Sequence, residues 1–418
     1  MALSVSAQAA EWWAQPDISL KSGYNDNIRL STVPHSSVWE TELSAASRFG
    51  IARENQGLTG DAAIKVRRFT GGSGAESSEL LDREDYFLNL DAYHQTELNI
   101  FRGNIGYIQD STLDSELDES GLVADQRATR IRKSLGASWA RTLTEKSQFS
   151  LDYAHSDVDF RDDPGINDLI AFKSDSLTAS MGYQYTPRTQ VSIAASGSSF
   201  RPDTGFDSST LNIQGGGTHS FSETLSISAL AGYRNTTSDS LFAAGFCIGA
   251  NPGASFPECT GGIPIVTGSE KGETETSGPT YNVSINKILE TGSLTAALTR
   301  STSPGLNGEL LDRTRLLLLG EHRFTERLRS SLRIEYTENE TIVNVVGRQP
   351  GDIGLGPDNV TEKFFRVTPR VSWRWLSEWT IGAEYQYARN EDRRLNTATR
   401  NAVYLTLSYV PTRLSISR

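Results

Sequence analysis

Arginine recurs at alternate positions in three separate stretches of the sequence. Successive residues of a β-strand point to opposite faces, so residues two or four positions apart share one face. Basic side chains on the inner face of a pore can guide an anionic solute or polymer. The alternative interpretation is pairing with Glu or Asp that only holds strand register, and both interpretations stay open. The arginines are Arg130, Arg132, Arg329, Arg333, Arg366, Arg370 and Arg374.

Acidic residues fall on the same predicted face and complete the candidate lining. A lumen that contains unpaired charges must hold water, because such charges in a dry interior would cost several kcal/mol each. The predicted pore-lining residues are therefore the seven arginines together with Glu40, Glu42, Asp91, Glu335 and Glu384.

The elements that position these residues are strands. From 132 to 155, Leu135, Ala137 and Trp139 alternate with small polar residues, and after a polar turn the pattern repeats. A period of two over eight or more residues indicates a strand with two differently solvated faces. About eighteen such segments occur, near 17–30, 37–52, 58–69, 84–95, 98–109, 127–141, 147–157, 173–186, 190–200, 208–220, 224–235, 274–288, 293–302, 312–324, 328–338, 363–375, 379–389 and 401–410.

The connections between these segments alternate between short turns and long polar loops. Outer-membrane barrels have short periplasmic turns and long extracellular loops, and their strands cross the bilayer with roughly 9–11 residues. The sequence contains no run of eighteen or more apolar residues. It therefore predicts an all-β fold, a transmembrane antiparallel β-barrel of about eighteen strands, integral to the outer membrane. Lipid and lipopolysaccharide are its expected surroundings, and Trp139, Trp373, Trp375 and Trp379 its expected periplasmic aromatic girdle.

Bulk composition agrees with one large barrel. Only 37% of the 418 residues are hydrophobic and the mean hydropathy is −0.40, low for a chain with a large dry core. The net charge of −11 argues against nucleic acid as a partner. Residues 1–10 resemble the end of a secretory leader, with Ala7-Gln8-Ala9 as a cleavage motif but without a basic region before it. We expect residues 11–418 to form a single barrel domain.

The two cysteines lie in one Gly/Pro-rich segment. Cys247 and Cys259 are predicted to form a disulfide that pins a long loop of an exported chain. Apolar residues nearby, such as Phe242 and Phe256, would let this loop fold inward and constrict the pore, or contact another protein. A metal pair is the disfavoured alternative, because no His or further Cys is close.

Acidic residues are concentrated in two of the long loops. The sequence indicates solvated loops, with calcium binding as the alternative, because the spacing does not match an EF-hand. The residues are Asp110, Asp114, Glu116, Asp118, Glu119 and Asp125 in one loop, and Asp157, Asp159, Asp162 and Asp163 in the other.

Catalysis has little support in the sequence. The five histidines are scattered over separate segments, and neither G-x-S-x-G nor H-E-x-x-H occurs. We predict no catalytic residues, no metal site and no cofactor, and hence not an enzyme. A barrel enzyme acting on lipids, with a Ser–His pair assembled across strands, is the alternative.

Two stretches resemble a known family. SGYNDNIRLS near the start, and TRSTSPGLNGELLDRTRLLLLGEHRFTERLRSSLRIEY further on, are similar to β-barrel porins of Gram-negative outer membranes, of the type associated with exopolysaccharide secretion. The resemblance is diffuse, from Gly23 to Tyr409, and its motifs are structural. The chain departs from classical barrels by continuing past Tyr409 instead of ending on an aromatic residue.

The resemblance implies a conduit for exopolysaccharide across the outer membrane, working with a periplasmic export protein at the short-turn end. The first alternative is a general diffusion porin, with a small solute instead of polysaccharide in the lumen. The second is a non-conducting surface scaffold or adhesin that displays the cysteine loop.

Overall fold

The computed structural model describes residues 11–32, 35–72, 77–119, 121, 127–161, 169–203, 207–248, 263–305, 308–343, 361–391 and 396–417. Within these ranges the side chains of 78, 79, 116, 240–248, 263–271, 343 and 417 are not described. The strands follow the predicted alternation. They are β1 (Glu11–Asn25), β2 (Val38–Arg53), β3 (Gln56–Gly71), β4 (Arg83–Gln95), β5 (Asn99–Ser111), β6 (Thr129–Thr144), β7 (Ser147–Arg161), β8 (Phe172–Thr186), β9 (Thr189–Pro202), β10 (Ser208–Ser222), β11 (Leu225–Ile248), β12 (Ile263–Leu289), β13 (Gly292–Pro304), β14 (Leu310–Arg323), β15 (Leu328–Val343), β16 (Thr361–Arg374), β17 (Trp379–Glu391), β18 (Thr397–Tyr409) and β19 (Leu414–Ser417). Two helices lie in the long connections, α1 (Ser78–Leu81) and α2 (Thr112–Glu119).

Each strand from β1 to β18 pairs antiparallel with the next one in sequence, and β18 pairs back with β1. This closes the sheet into an eighteen-stranded barrel, as the sequence predicts. Closure pairs every strand on both sides, which a sheet surrounded by lipid requires because no water is present to satisfy free edges.

The outward face of the barrel is apolar. Because side chains alternate along each strand, the large exposed hydrophobic residues occupy every second position and the intervening residues point into the lumen. A closed barrel with an apolar outer band is the architecture of integral outer-membrane proteins, so the predicted localisation is confirmed. Residues of this band include Leu20, Leu43, Ile64, Leu88, Ile105, Leu135, Leu177, Ile193, Ile213, Leu332, Val371 and Leu405.

None of the described helices is long and apolar enough to cross a membrane.

Aromatic residues lie at the short-turn end. Trp139 packs against Phe149 with ring centroids 5.9 Å apart, and Trp379 against Tyr409 at 4.8 Å. Trp373 and Trp375 are exposed at the end of β16. This is the arrangement of a membrane–water interface, where an aromatic ring has one apolar and one wet side.

Pro369 interrupts one ladder of the sheet without shifting it. In β16 the pairing with β17 stops at Val367 and resumes at Arg370 in the same register. Proline has no N–H to donate, so a local loss of pairing is expected at this position.

The C-terminal segment extends the wall of the barrel at the periplasmic end. Strand β18 ends at Tyr409, and after a short irregular segment around Pro411 the chain continues as β19, which pairs with residues Glu11–Ala14 of β1. The segment between Tyr409 and Leu414 contains one residue more than the segment of β1 that it faces, between Ala14 and Ile18. It therefore forms a bulge. Arg413 lies over the Trp13 ring at 4.4 Å and pairs with Glu11 at 3.0 Å.

At the long-loop end β11 and β12 continue above the wall. β12 pairs with β13 only from Tyr281 onward, and its earlier residues pair with β11 alone, as a two-stranded ribbon. The tip of the neighbouring β13–β14 hairpin is therefore not paired with β12, and its Leu311 packs against Phe160 and Leu169 on the β7–β8 side.

Candidate functional site

The connection between β5 and β6 enters the lumen. Helix α2 starts directly after β5, and its two leucines, Leu113 and Leu117, pack four positions apart into two different apolar clusters of the barrel mouth. The first cluster contains Ile28, Val38, Phe69 and Leu81, and the second contains Leu30, Phe364, Ala388 and Ala398. The helix is therefore anchored to β2–β3 at one end and to β16–β18 at the other.

Asp114 is the centre of a first ionic cluster. Its carboxylate accepts hydrogen bonds from Arg67 Nη1 and Arg83 Nη2. Arg67 Nε also lies 2.6 Å from the Glu42 carboxylate, and Glu40 is 3.8 Å away. The predicted lining residues Glu40 and Glu42 are thus joined to the helix through one arginine.

Glu119 is the centre of a second cluster at the other end of α2. Arg130 donates to it from both Nη1 and Nη2 at 2.9 Å, a bidentate pair, and Arg132 donates from Nη1 at 3.0 Å. Arg130 also donates to Asp110 at 3.1 Å. Arg313 of β14, on a distant strand, donates to the Glu119 backbone oxygen at 2.9 Å.

Asp118 connects α2 to a third cluster. It accepts from Arg366 Nη1, and the same guanidinium donates from Nη2 to Glu335 at 2.7 Å. Glu335, with 3% of its side chain exposed, also pairs with Arg333 at 3.1 Å and with Arg315. The buried wall carboxylate and the helix thus share Arg366.

The remaining predicted lining residues lie on the lumen face but away from α2. Glu384 pairs with Lys21 at 3.8 Å, and Asp91 accepts from Asn89. Arg370 lies beside Gly382 and opposite Glu384 in the β16–β17 register. Arg329 and Arg374 lie near the short turns, where Arg374 donates to the Glu326 backbone oxygen at 3.0 Å. Whether all twelve line a conducting pathway stays a prediction.

The wall from β7 to β12 has a different character. Its inward positions carry small polar residues that bond to each other across strands: Ser150 to Ser180 at 2.7 Å, and Thr218 to Ser228 at 3.1 Å. The polar contacts described for α2 go instead to the charged part of the wall, on β3, β4, β6, β14 and β16. The lumen thus has a charged half that holds the helix and a small polar half.

The tip of the β13–β14 hairpin is the second inward element. Leu311 packs against Phe160 and Leu169, on the β7–β8 side of the mouth, and Leu310 packs with Phe200. Arg234 of β11 donates from Nε to Asp312 at 2.9 Å. Since Arg313 of the same hairpin bonds to Glu119, the two inward elements meet across the lumen.

These contacts correct the expectation of a solvated loop for the first of the two acidic loops. Asp110, Asp114, Asp118 and Glu119 are engaged by arginines, because the segment that carries them folds into the barrel. Asp125, Asp162 and Asp163 lie outside the described residues, as does the Glu116 side chain. Among the parts of the chain that the structure describes, no group of His, Cys, Asp and Glu could hold a metal ion.

Helix α2, which enters the lumen, is a segment that the sequence did not single out, and the prediction of an inward cysteine loop falls on residues outside those the structure describes. Cys259 and the Cys247 side chain lie outside the described residues, and their disulfide stays a prediction. A local signal for α2 was present: Leu113 with Leu117 and Asp114 with Asp118 share the four-residue spacing of a helix face. Arg67, Arg83, Arg313 and Arg315 carried no comparable signal.

The arginines determine the ionisation of the helix carboxylates. Burial alone would raise the pKa of Asp114, but the Arg83 and Arg67 guanidiniums outweigh it and hold the pKa well below its ordinary value. For Glu119 burial likewise opposes the effect, and the hydrogen bonds and charge of Arg130, with Arg132, lower the pKa. Both groups are therefore ionised at neutral pH.

This gives an expected pH dependence. A carboxylate with a depressed pKa stabilises the docked helix above its undocked pKa, and the stabilisation is lost as pH falls through the docked value. Ordinary values are about 3.9 for Asp and 4.3 for Glu. We expect single-channel conductance to be constant from about pH 7 to pH 5. It should change only below about pH 4, when α2 is released. A transition near pH 6 in planar-bilayer recordings would contradict this assignment.

No protein-family model and no curated protein matches the chain. Among solved structures, the chain is similar to Acinetobacter baumannii OccAB4, with 9% identity over 97% of this chain and 98% of that one, and a TM-score of 0.45. It is similar to Pseudomonas aeruginosa OpdQ, with 10% identity over 97% and 98% of the two chains and a TM-score of 0.45. For Pseudomonas aeruginosa OprD the identity is 10%, over 96% and 95% of the two chains, with a TM-score of 0.40. These similarities concern the barrel fold and carry no argument about function.

Proposed function

We propose that the chain is an outer-membrane channel for the diffusion of small polar solutes. The observation that carries this proposal is the division of the lumen. Helix α2 is held by ion pairs against the charged half of the wall, while the Ser- and Thr-rich half has side chains that can replace water around a solute. Such a surface binds polar molecules weakly enough to release them, as conduction requires.

A small solute fits this lumen better than a polymer does. Both α2 and the β13–β14 tip extend into the mouth, and the bond from Arg313 to Glu119 joins them. A polysaccharide chain would require both elements to move aside. No described contact favours the exopolysaccharide conduit, and the scaffold alternative depends on the cysteine loop, which lies outside the described residues.

Charge would act on the solute in a defined direction. Arginine and carboxylate rows occupy one half of the lumen, so a dipolar or charged solute experiences a field across its path. Because the described lumen charges are largely paired, we expect attraction and orientation but not tight binding. Uncharged sugars of small size should therefore also pass.

Liposome swelling tests the proposal. Proteoliposomes with purified barrel should swell in arabinose and progressively more slowly in larger sugars. Ser180→Trp, which places an indole in the small polar half, should slow swelling several-fold. The matched control is Ala179→Trp on the adjacent outward position, where the indole faces lipid and the rate should be unchanged. Vesicles that do not swell even in arabinose, while the barrel is folded, would refute the channel.

A further inference from the structure

We propose that an amide cluster on the lumen wall, formed by Asn212, Gln214 and Asn282, is a binding subsite for uncharged sugars. This inference rests on the proposed channel function and names the class of solute that the small polar half of the lumen favours. It does not follow from the barrel fold, since it depends on three side chains and on the threonine that orients two of them.

The three amides lie on the inward face of neighbouring strands. Asn212 and Gln214 alternate along β10 with Leu211 and Ile213, which belong to the exposed apolar band, so the two amides point into the lumen. The register from β10 to β12 gives Asn282 the same orientation two strands away. Neighbouring strands are roughly 4.8 Å apart, so the cluster covers about 10 Å of wall. A single sugar ring with its hydroxyl groups can bridge this span.

Thr280 orients two of the amides. Gln214 donates from Nε2 to the Thr280 hydroxyl at 3.0 Å, and that hydroxyl donates to Asn212 Oδ1 at 2.9 Å. Gln214 must cross β11 to reach Thr280, and the residue between them in the register is Gly232. A Cβ at Gly232 would lie 2.7 Å from Gln214 Cγ, so a larger residue there would displace the glutamine. Both amides are therefore held in fixed orientations before a solute arrives.

The same bonds leave hydrogen-bonding groups available to a solute. The Nδ2 group of Asn212 and the Oε1 atom of Gln214 have no hydrogen-bond partner within the described parts of the chain, and the Asn282 side chain has none there either. An amide contains both donors and an acceptor, and each hydroxyl group of a sugar can also donate and accept. Two adjacent hydroxyls can thus bond to Asn212 and Gln214 together, and a third to Asn282.

The wall around the cluster has no unpaired charge. In residues 210–218, 228–236 and 276–286, all of which the structure describes, Arg234 is the only charged residue. Its guanidinium donates to Asp312 and to the Thr236 hydroxyl. An ion would lose water here without gaining a counter-charge, which is costly. A neutral polyol instead exchanges hydrogen bonds with water for hydrogen bonds with the amides.

An apolar side chain completes the subsite. Leu230 is half-buried and lies in one row with Gly216 and Asn282, directly next to the row of Gln214. Ligand sites commonly combine apolar surface with a few polar groups that fix orientation. A sugar can cover Leu230 with the C–H groups of its ring while its hydroxyls bond to the amides. Contacts of this kind are weak enough to release the solute, as conduction requires.

Current recordings with glucose as the probe test the inference. As glucose is raised through the millimolar range, wild-type barrels in planar bilayers with potassium chloride should show a saturable drop in single-channel conductance. Glycine betaine, a zwitterion without hydrogen-bond donors, should cause only the linear decline that viscosity produces. Gln214→Leu should raise the half-saturating glucose concentration several-fold and leave the conductance without sugar unchanged.

Two further variants make the result specific. Thr280→Val keeps the side-chain shape and both amides but removes the hydroxyl that orients them, so it should also weaken glucose binding several-fold. Thr280→Ser retains the hydroxyl and should bind glucose as wild type does. The matched control is Gln190→Leu, which makes the same replacement on the inward face of β9, near the short turns, and should leave the glucose titration unchanged.

The outcomes are distinguishable. A barrel that conducts potassium chloride but shows no saturable effect of glucose overturns the sugar subsite and leaves the channel intact. Equal half-saturating concentrations for wild type, Gln214→Leu and Thr280→Val also overturn it. A barrel that is folded and silent in potassium chloride in every variant refutes the channel and the inference together.

Discussion

Replacing residues 112–121 by a short Gly-Ser linker is expected to raise single-channel conductance several-fold. These residues contain α2, which is held inside the barrel mouth by two apolar clusters and three ionic clusters. The wall itself should persist without them, because each strand of the barrel pairs with both neighbours independently of the helix. Planar-bilayer recordings of the wild-type and shortened barrels at equal salt give the comparison.

The same conductance measurement also tests which of two segments constricts the barrel. Removing the Cys247–Cys259 segment, from 243 to 262, is the matched control, since the sequence alone pointed to that loop as the inward one. We expect its removal to leave conductance close to wild type. If instead that deletion opens the barrel and loss of 112–121 does not, the assignment of α2 as the constricting element is wrong.

Glu335→Ala is expected to destabilise the folded barrel by about 3–5 kcal/mol. Glu335 is nearly fully buried and is the shared acceptor of Arg366, Arg333 and Arg315. Its removal leaves buried guanidinium groups without their carboxylate, which costs far more than the pair itself contributes. Equilibrium urea unfolding in lipid vesicles, followed by tryptophan fluorescence, measures the loss.

Two variants make this result specific. Glu338→Ala removes a carboxylate on the outward face, where Glu338 accepts from Tyr336 at 3.3 Å, and should cost less than about 1 kcal/mol. E335M/R366M removes both members of the most buried pair and should cost less than Glu335→Ala alone, because less charge is left uncompensated. An unfolding free energy that is equal for Glu335→Ala and Glu338→Ala would show that the cluster is solvated.

The strands could be read from the sequence because lipid enforces a local rule. Every crossing segment must alternate, so Leu135, Ala137 and Trp139 reveal their face without knowledge of a partner. Turn and loop lengths then order the strands around the ring. The predicted inward positions of Glu40, Glu335 and Arg366 follow from the same parity, and in the structure each of these residues belongs to one of the ionic clusters around α2.

The inserted helix could not be derived in the same way. Asp118 and Arg366 are separated by 248 positions, and Glu119 and Arg313 by 194. No local period connects such residues, and an acidic loop in water has the same composition as an acidic helix held by arginines. The apolar residues of the cysteine loop are close together in the sequence, so local composition was enough to predict that this loop folds inward. The partners of α2 lie on several separate strands, and no local pattern connects them to the helix.

The short β19 strand bears on the order in which the barrel can assemble. Hairpins such as β6–β7 join residues a few positions apart, but Arg413 and Glu11 are 402 positions apart. The entropic cost of bringing two chain ends together rises with the logarithm of the intervening length, so the β1–β18 seam is the most demanding pairing to nucleate. Until it forms, the sheet has two open edges. The C-terminal segment extends that seam by four further residues and the Arg413–Trp13 contact, so we expect it to slow the reopening of a closed barrel along the seam.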